Sequence, residues 1–240
     1  MRIGVLGCGA IACAVVHGIA GDGHRITVSE RSASRARQLA NTYENVIIAD
    51  NQGVIDASDV IILGLMAEVA SEVLAKLDFR AGQKVISLMA GATLEQADAL
   101  VQPAYAVALV MPFPGIALGG SPVMMQGDAE LVQELFGSRN SIFVLENPDE
   151  MAAYLCAQAV LSPVVRMVSD AADWLGDRVS DKEQGETFLR ELVASNLANS
   201  ACKPLIEALN TPGGYNQRLR LHMEASGVGE TLKAGLNALK

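Results

Sequence analysis

The residues best placed to do chemistry stand at the start of the chain, in Gly7-Cys8-Gly9-Ala10-Ile11-Ala12. The pattern is G-x-G-x-x-A, in which a small Ala takes the place of a third glycine. Gly7 permits a tight turn, Gly9 lets the backbone approach a pyrophosphate, and Ala12 lets a helix pack closely on a strand, with Ala10 and Ile11 completing the turn. A second group, Ser29-Glu30-Arg31-Ser32, begins close to where such a fold needs a ribose contact, because Glu30 lies 21 residues after Gly9. A carboxylate there accepts both ribose hydroxyls of NAD and repels a 2′-phosphate. Arg31 and Ser32 are the residue types that hold that phosphate, so the cofactor is written NAD(P) with a lean toward NAD.

These groups work only if regular elements hold them. Arg2 to Leu6 reads as a buried strand and Ala10 to Ala20 as a helix that stops at Gly21. "HRITVSE" is a second strand ending at Glu30, followed by a helix from Ser32 through Ala40. "NVIIAD", "SDVIILGL", "KVISLMAG" and "AYAVALVMP" are four further strands, and Asn51 to Ala57 forms a short helix at most. "AEVASEVLAKL" reads as a helix with Val69, Val73, Leu74 and Leu77 on one face. "TLEQADALV" is a helix that Thr93 caps, with Gln96 completing a capping box. Alternation of this kind predicts an α/β, Rossmann-like, doubly wound parallel sheet over residues 1–147.

"SIFVLENPDE" marks a change, and residues 148–240 read as a smaller all-helical domain for dimerisation and substrate binding. Pro163 is expected to kink its first helical stretch. The second runs from about Asp181 to Leu209, and more helix follows "TPGGYN". Phe188, Leu189, Leu192, Val193, Leu197, Ala201 and Leu205 recur at helical spacing. A unit of this size cannot bury so long a stripe by itself, which predicts a homodimer or higher homo-oligomer.

Half of the residues are hydrophobic, as in a globular protein. The net charge is −9, from nine Lys+Arg against fifteen Asp+Glu in residues 1–147 and nine against twelve beyond. No basic face emerges, which argues against nucleic acid or an anionic membrane as partner. Cys8, Cys13, Cys156 and Cys202 form no C-x-x-C pair and read as small apolar residues, without a metal or disulfide role. His17, His24 and His222 read as surface or packing residues. Ala99 to Gly127 carries no charge over 29 residues, but Pro103, Pro112, Pro114 and Pro122 interrupt it, so it reads as buried strands and a loop. No signal peptide is expected, and a cytoplasmic, soluble protein is.

Three stretches together resemble the pyrroline-5-carboxylate reductase family. They are the opening turn, "VISLMAGATLEQ", and the pair "ALVMPFPGIALGG" and "LNTPGGYNQRLRLHMEASGVGETL". The second is similar to the family's strand followed by A-A-G-V-T-L. The last pair is similar to M-P-N-T-P-A-L-V-x-x-G and to S-P-G-G-T-T followed by L-E-x-x-G. The resemblance implies NAD(P)H-dependent reduction of a small cyclic imino acid, pyrroline-5-carboxylate to proline or a close analogue. It also implies that Leu65, Met66, Ala90, Gly91, Met111 and Pro112 join the cofactor site. Gly213, Gly214, Tyr215, Ser162 and Phe113 would meet the substrate, and Asn216 and Thr211 would act in catalysis.

The sequence also departs from the family pattern. Met111-Pro112-Phe113-Pro114 lacks the Asn-Thr pair, Gly64-Leu65-Met66-Ala67 replaces A-V-K-P without its Lys, and Tyr215 and Asn216 replace two threonines. Two other readings follow: a related dehydrogenase of a hydroxy acid or another imine, and a nucleotide-binding regulatory protein without catalysis. Independently of the resemblance, Thr211-Pro212-Gly213-Gly214 at a helix start suits an anion such as a carboxylate, through backbone N–H groups and the helix dipole, or else forms only a turn and cap.

Overall fold

The computed structural model describes residues 1–239. Contacts divide the chain into two compact units, Met1–Met151 and Ala152–Lys240. In the first, strands and helices alternate from the start: β1 (Arg2–Leu6), α1 (Ala10–Ile19), β2 (Arg25–Ser29), α2 (Ala33–Thr42), β3 (Val46–Ala49), α3 (Asn51–Asp56) and β4 (Val60–Leu63). They continue through α4 (Ala67–Leu74), β5 (Lys84–Ser87), α5 (Leu94–Leu100), β6 (Tyr105–Pro112), β7 (Pro122–Gly127), α6 (Ala129–Phe136) and β8 (Ser141–Val144).

The eight strands form one sheet in the order β3-β2-β1-β4-β5-β6-β7-β8. Alternation along each strand sorts side chains to the two faces. Ile3 and Val5 of β1, with Val60 and Ile62 of β4, join a core with Val15, Val16 and Ile19 of α1. Leu6, Ile61 and Leu63 join the opposite core with Val54 of α3, Leu74 of α4 and Ala97 of α5. Helices therefore cover both faces, as a doubly wound sheet requires.

The expectation of a parallel sheet needs one correction, since β7 runs antiparallel to β6. Only nine residues join the two strands, whereas a crossover that would keep them parallel needs a dozen or more. Strand β8 then pairs parallel to β7 after the α6 crossover. Helix α4 ends at Leu74, so Leu77 lies in the turn after it rather than on its face. At α5, Thr93 Oγ1 accepts from the Gln96 N–H at 3.2 Å and Gln96 Oε1 accepts from the Thr93 N–H at 2.9 Å, completing the expected box.

The second unit is helical. Helix α7 (Pro148–Ala157) crosses the boundary between units, and α8 (Leu161–Gly176), α9 (Lys182–Asn199), α10 (Cys202–Ala208), α11 (Tyr215–Ala225) and α12 (Val228–Asn237) follow. The helix expected from Asp181 to Leu209 is broken, with Ser200 in extended backbone. Pro204 explains the break, because its ring excludes the carbonyl of residue 200 from a helical position and it has no N–H to donate. Pro163 acts in the same way: residues 158–160 tighten into a 3₁₀ turn ahead of it.

Among the described residues of this second unit, only Gly176 and Gly185 are buried. No apolar side chain of residues 152–239 reaches the core, while Phe188 is 57%, Leu192 46% and Leu197 51% exposed.

Candidate active site

In the first unit, chain connections leave β1 and β4 in opposite directions, which opens a crevice at the carboxyl ends of these two adjacent strands. Gly7 has φ +89°, a left-handed conformation that favours glycine, and a Cβ there would lie 2.6 Å from the Gly64 carbonyl oxygen. Its N–H donates to the buried hydroxyl of Ser29 at 2.8 Å, so the end of β2 is tied to the turn after β1. Cys8 Sγ donates to the Ser29 carbonyl at 3.4 Å. Burial pushes the Cys8 thiol up to about 11, and burial also raises that of Cys13.

Gly9 caps α1 with φ −69° and no side-chain hydrogen bond. A Cβ at Gly9 would meet nothing closer than the Gly64 carbonyl oxygen at 3.9 Å. The fold therefore has room for a side chain at Gly9, and the open space is available to a ligand. Across from it, a Cβ on Gly64 would lie 2.5 Å from the Gly7 carbonyl oxygen and 2.7 Å from Ala12 Cβ. Close packing of helix and strand is thus shared by Ala12 and Gly64.

A cleft of about 400 Å³ lies above this turn. It gathers Gly9, Ala10, Ile11, Ala12, Leu65, Met66 and Ala90 of the expected residues, together with Gly64, Ala67, Glu68 and Leu88, which the sequence had not assigned to the cofactor site. Gly7 supports it from beneath. Glu30, Arg31 and Ser32 form a 3₁₀ turn directly after Ser29, with Glu30 and Arg31 exposed. Arg31 also helps hold the Glu72 carboxyl of α4 below its usual range, behind the larger effect of the Lys76 hydrogen bond. Gly91 has φ +85° in the turn before α5, Met111 is buried at the end of β6, and half-buried Pro112 and Phe113 lead into the next 3₁₀ turn. None of these last four residues lines the cleft.

The remaining expected residues belong to the second unit. Ser162 is exposed in the first turn of α8. Thr211, Gly213, Gly214, Tyr215 and Asn216 come together where the chain turns into α11, and Tyr215 is 89% exposed. Gly213 has φ +74° and Gly214 caps the helix. The expected free donors are engaged here: the Gly214 N–H donates to the Thr211 carbonyl at 3.0 Å and the Gly213 N–H to Gln217 Oε1 at 2.8 Å. The histidines behave as expected. His17 Nδ1 and the Tyr43 hydroxyl are 2.9 Å apart at the edge of the core, His24 lies near the N-terminal amine, and His222 is exposed on α11. Among the described residues no group of His, Cys, Asp and Glu could hold a metal ion, and all four cysteines are free.

An open, helix-covered sheet with a glycine turn below a crevice at its switch point defines a dinucleotide-binding α/β protein. Residues 2–91 match the family described as NADP oxidoreductase, coenzyme F420-dependent. The chain is similar to pyrroline-5-carboxylate reductases, in line with the resemblance of its motifs. It is 29% identical to the pyrroline-5-carboxylate reductase of Corynebacterium melassecola over 145 residues, an aligned stretch covering 55% of this chain and about half, 54%, of that relative. The solved structure of 1-pyrroline-5-carboxylate reductase from Streptococcus pyogenes is similar over 100% of this chain and 96% of that one, at 25% identity and a TM-score of 0.81. The Plasmodium falciparum pyrroline carboxylate reductase solved with NADP bound shares the fold, with a TM-score of 0.83 at 16% identity over 100% of this chain and 95% of that one.

Proposed function

We propose that the protein is an NAD(P)H-dependent oxidoreductase acting on the C=N bond of a small cyclic imine, with pyrroline-5-carboxylate the reference substrate that its relatives suggest. The observation that carries this reading is the open approach at Gly9, beside a 400 Å³ cleft into which α1 directs its N-terminus. An unobstructed helix start suits a pyrophosphate, since its N–H groups lack intrahelical partners and the helix dipole favours negative charge. When bound, the reduced nicotinamide supplies a hydride to the imine carbon.

The chain's own contribution is positioning. The Gly7–Ser29 hydrogen bond fixes the turn, Gly64 lets it lie close to the end of β4, and Glu30 meets the adenosine ribose. A cyclic imine is basic enough to arrive protonated, so reduction to the amine requires no strong acid from the protein. That agrees with a cleft whose lining contains no His, Lys or Cys. The loop before α11 meets the substrate through Tyr215 and Asn216. Because the helical unit buries almost nothing of its own, we infer that it is completed by a second copy in a cytoplasmic homodimer or larger assembly.

Following the absorbance of NADH or NADPH with a panel of cyclic imines and keto acids tests the reading. Oxidation of the nicotinamide with an imine is the expected result. Turnover of a keto acid alone would make the protein a hydroxy-acid dehydrogenase. Binding without any turnover would make it a regulatory relative, the reading that the missing Lys and Asn-Thr pair favour.

A further inference from the structure

The cleft above the glycine turn is lined by glycines and apolar side chains with one exception, the carboxylate of Glu68. Glu68 stands exposed in the first turn of α4. Ala70 and Leu74 of that helix pack into the core and fix its rotation. Helical side chains lean toward the N-terminus of their own helix, so Glu68 leans back over the end of β4 and the cleft. Glu72 and Lys76 continue the same row at intervals of four. Lys76 takes Glu72 at 2.9 Å, whereas no ion pair to Glu68 forms among the described residues. The member of the row that borders the cleft is therefore the one without a cation.

The opposite rim belongs to the end of β2, because β2 and β4 flank β1 in the sheet. Glu30 and Arg31 stand there. The Lys76 hydrogen bond is the main reason that the Glu72 carboxyl lies below its usual range, and the charge of Arg31 adds to it from across the cleft. A phosphate that paired with Arg31 would accordingly lie within the field of the α4 carboxylates.

We infer that Glu68 is a specificity-determining residue of the cofactor site, which sets the cleft against the 2′-phosphate of NADPH and so selects NADH; the inference rests on the dinucleotide reading of the cleft above. The 2′-phosphate brings up to two negative charges that NADH lacks, and like charges repel over several ångströms beside a low-dielectric wall. The lining offers no Lys, Arg or His to offset that repulsion. The pyrophosphate is common to both cofactors and does not discriminate between them.

The test measures Kd for NADH and for NADPH by nicotinamide fluorescence, in the parent protein and in Glu68→Gln, which removes the charge at nearly constant size. The parent is expected to bind NADH more tightly. Glu68→Gln should shift the ratio of the two Kd values toward NADPH by about fivefold at low salt, and Glu68→Lys should shift it further. Added salt should shrink the difference between parent and variant. Glu134→Gln, on α6 and away from the cleft lining, alters the net charge equally and should leave the ratio unchanged. If Glu68 only complements the dipole of α4, Glu68→Gln would lower the melting temperature and leave the ratio where it was, which overturns the inference. An equal shift in Glu134→Gln also overturns it, because overall charge then accounts for the effect. Tight binding of both cofactors with an unchanged ratio removes the inference alone, whereas no response of the parent to either cofactor removes the dinucleotide reading with it.

Discussion

Gly9 and Gly64 face one another across the cleft with opposite roles. The Cβ of a valine at Gly9 meets only the Gly64 carbonyl oxygen, at an ordinary contact distance of 3.9 Å, so Gly9→Val should keep its circular dichroism and melting profile while losing the fluorescence response to NADH. Alanine at Gly64 is forced against Gly7 and Ala12, so Gly64→Ala should destabilise the fold by about 1–3 kcal/mol in a denaturant titration. Glu30 is the proposed ribose contact. Glu30→Ser removes the repulsion of a 2′-phosphate and leaves Arg31, shifting the NADH to NADPH ratio of Kd toward NADPH by about tenfold, or roughly 1.4 kcal/mol. An unchanged ratio would mean that the carboxylate points away from the ribose. Cys8 adds a pH dependence. Its thiol is held neutral by burial up to about 11, while the unfolded chain ionises near 9.0. Unfolding therefore gains a proton release above pH 9, and the stability fully present below that pH should fall as pH rises toward about 11. A Cys8→Ala variant should show a flatter stability profile over that range.

At the scale of elements, most of what was legible in the sequence depended on local spacing. The turn after β1, the strand ends and the Thr93–Gln96 box all follow from residues within four positions of one another. Thr93→Ala should cost about 1 kcal/mol, read as a lower melting temperature with no change in cofactor affinity. What was not legible depends on distant partners or on side-chain conformation. The Ser29 hydroxyl supports Gly7 only because β1 and β2 pair in register, and nothing near Ser29 in sequence signals it. The antiparallel turn into β7 was readable from the short β6–β7 connection, but the run of apolar residues and prolines there marks strand and loop without direction. The break at Ser200 was foreshadowed by Pro204, yet apolar spacing passes through it uninterrupted. Gln217 resembles any polar residue in a first turn, and its occupancy of the Gly213 N–H depends on its side-chain rotamer.

For the whole molecule, the decisive feature is the helical unit with two buried glycines and no buried apolar side chain among its described residues. Pro148–Gly176 contains an 18-residue window of mean hydropathy 1.5, long and apolar enough to cross a membrane by length and composition, with 6% of that window buried inside this chain. The exposed Arg166–Asp170 pair at 2.8 Å and the 3₁₀ break at residues 158–160 suit a protein partner better than lipid. Light scattering at micromolar concentration should therefore give twice the chain mass or more, and a well-folded monomer would contradict the dimer. Heat resistance then ceases to be a fixed attribute of the polypeptide. Native pairs that melt into separate unfolded chains obey mass action, so each dilution should lower the melting temperature, and how well the protein survives warming depends on how much of it is present.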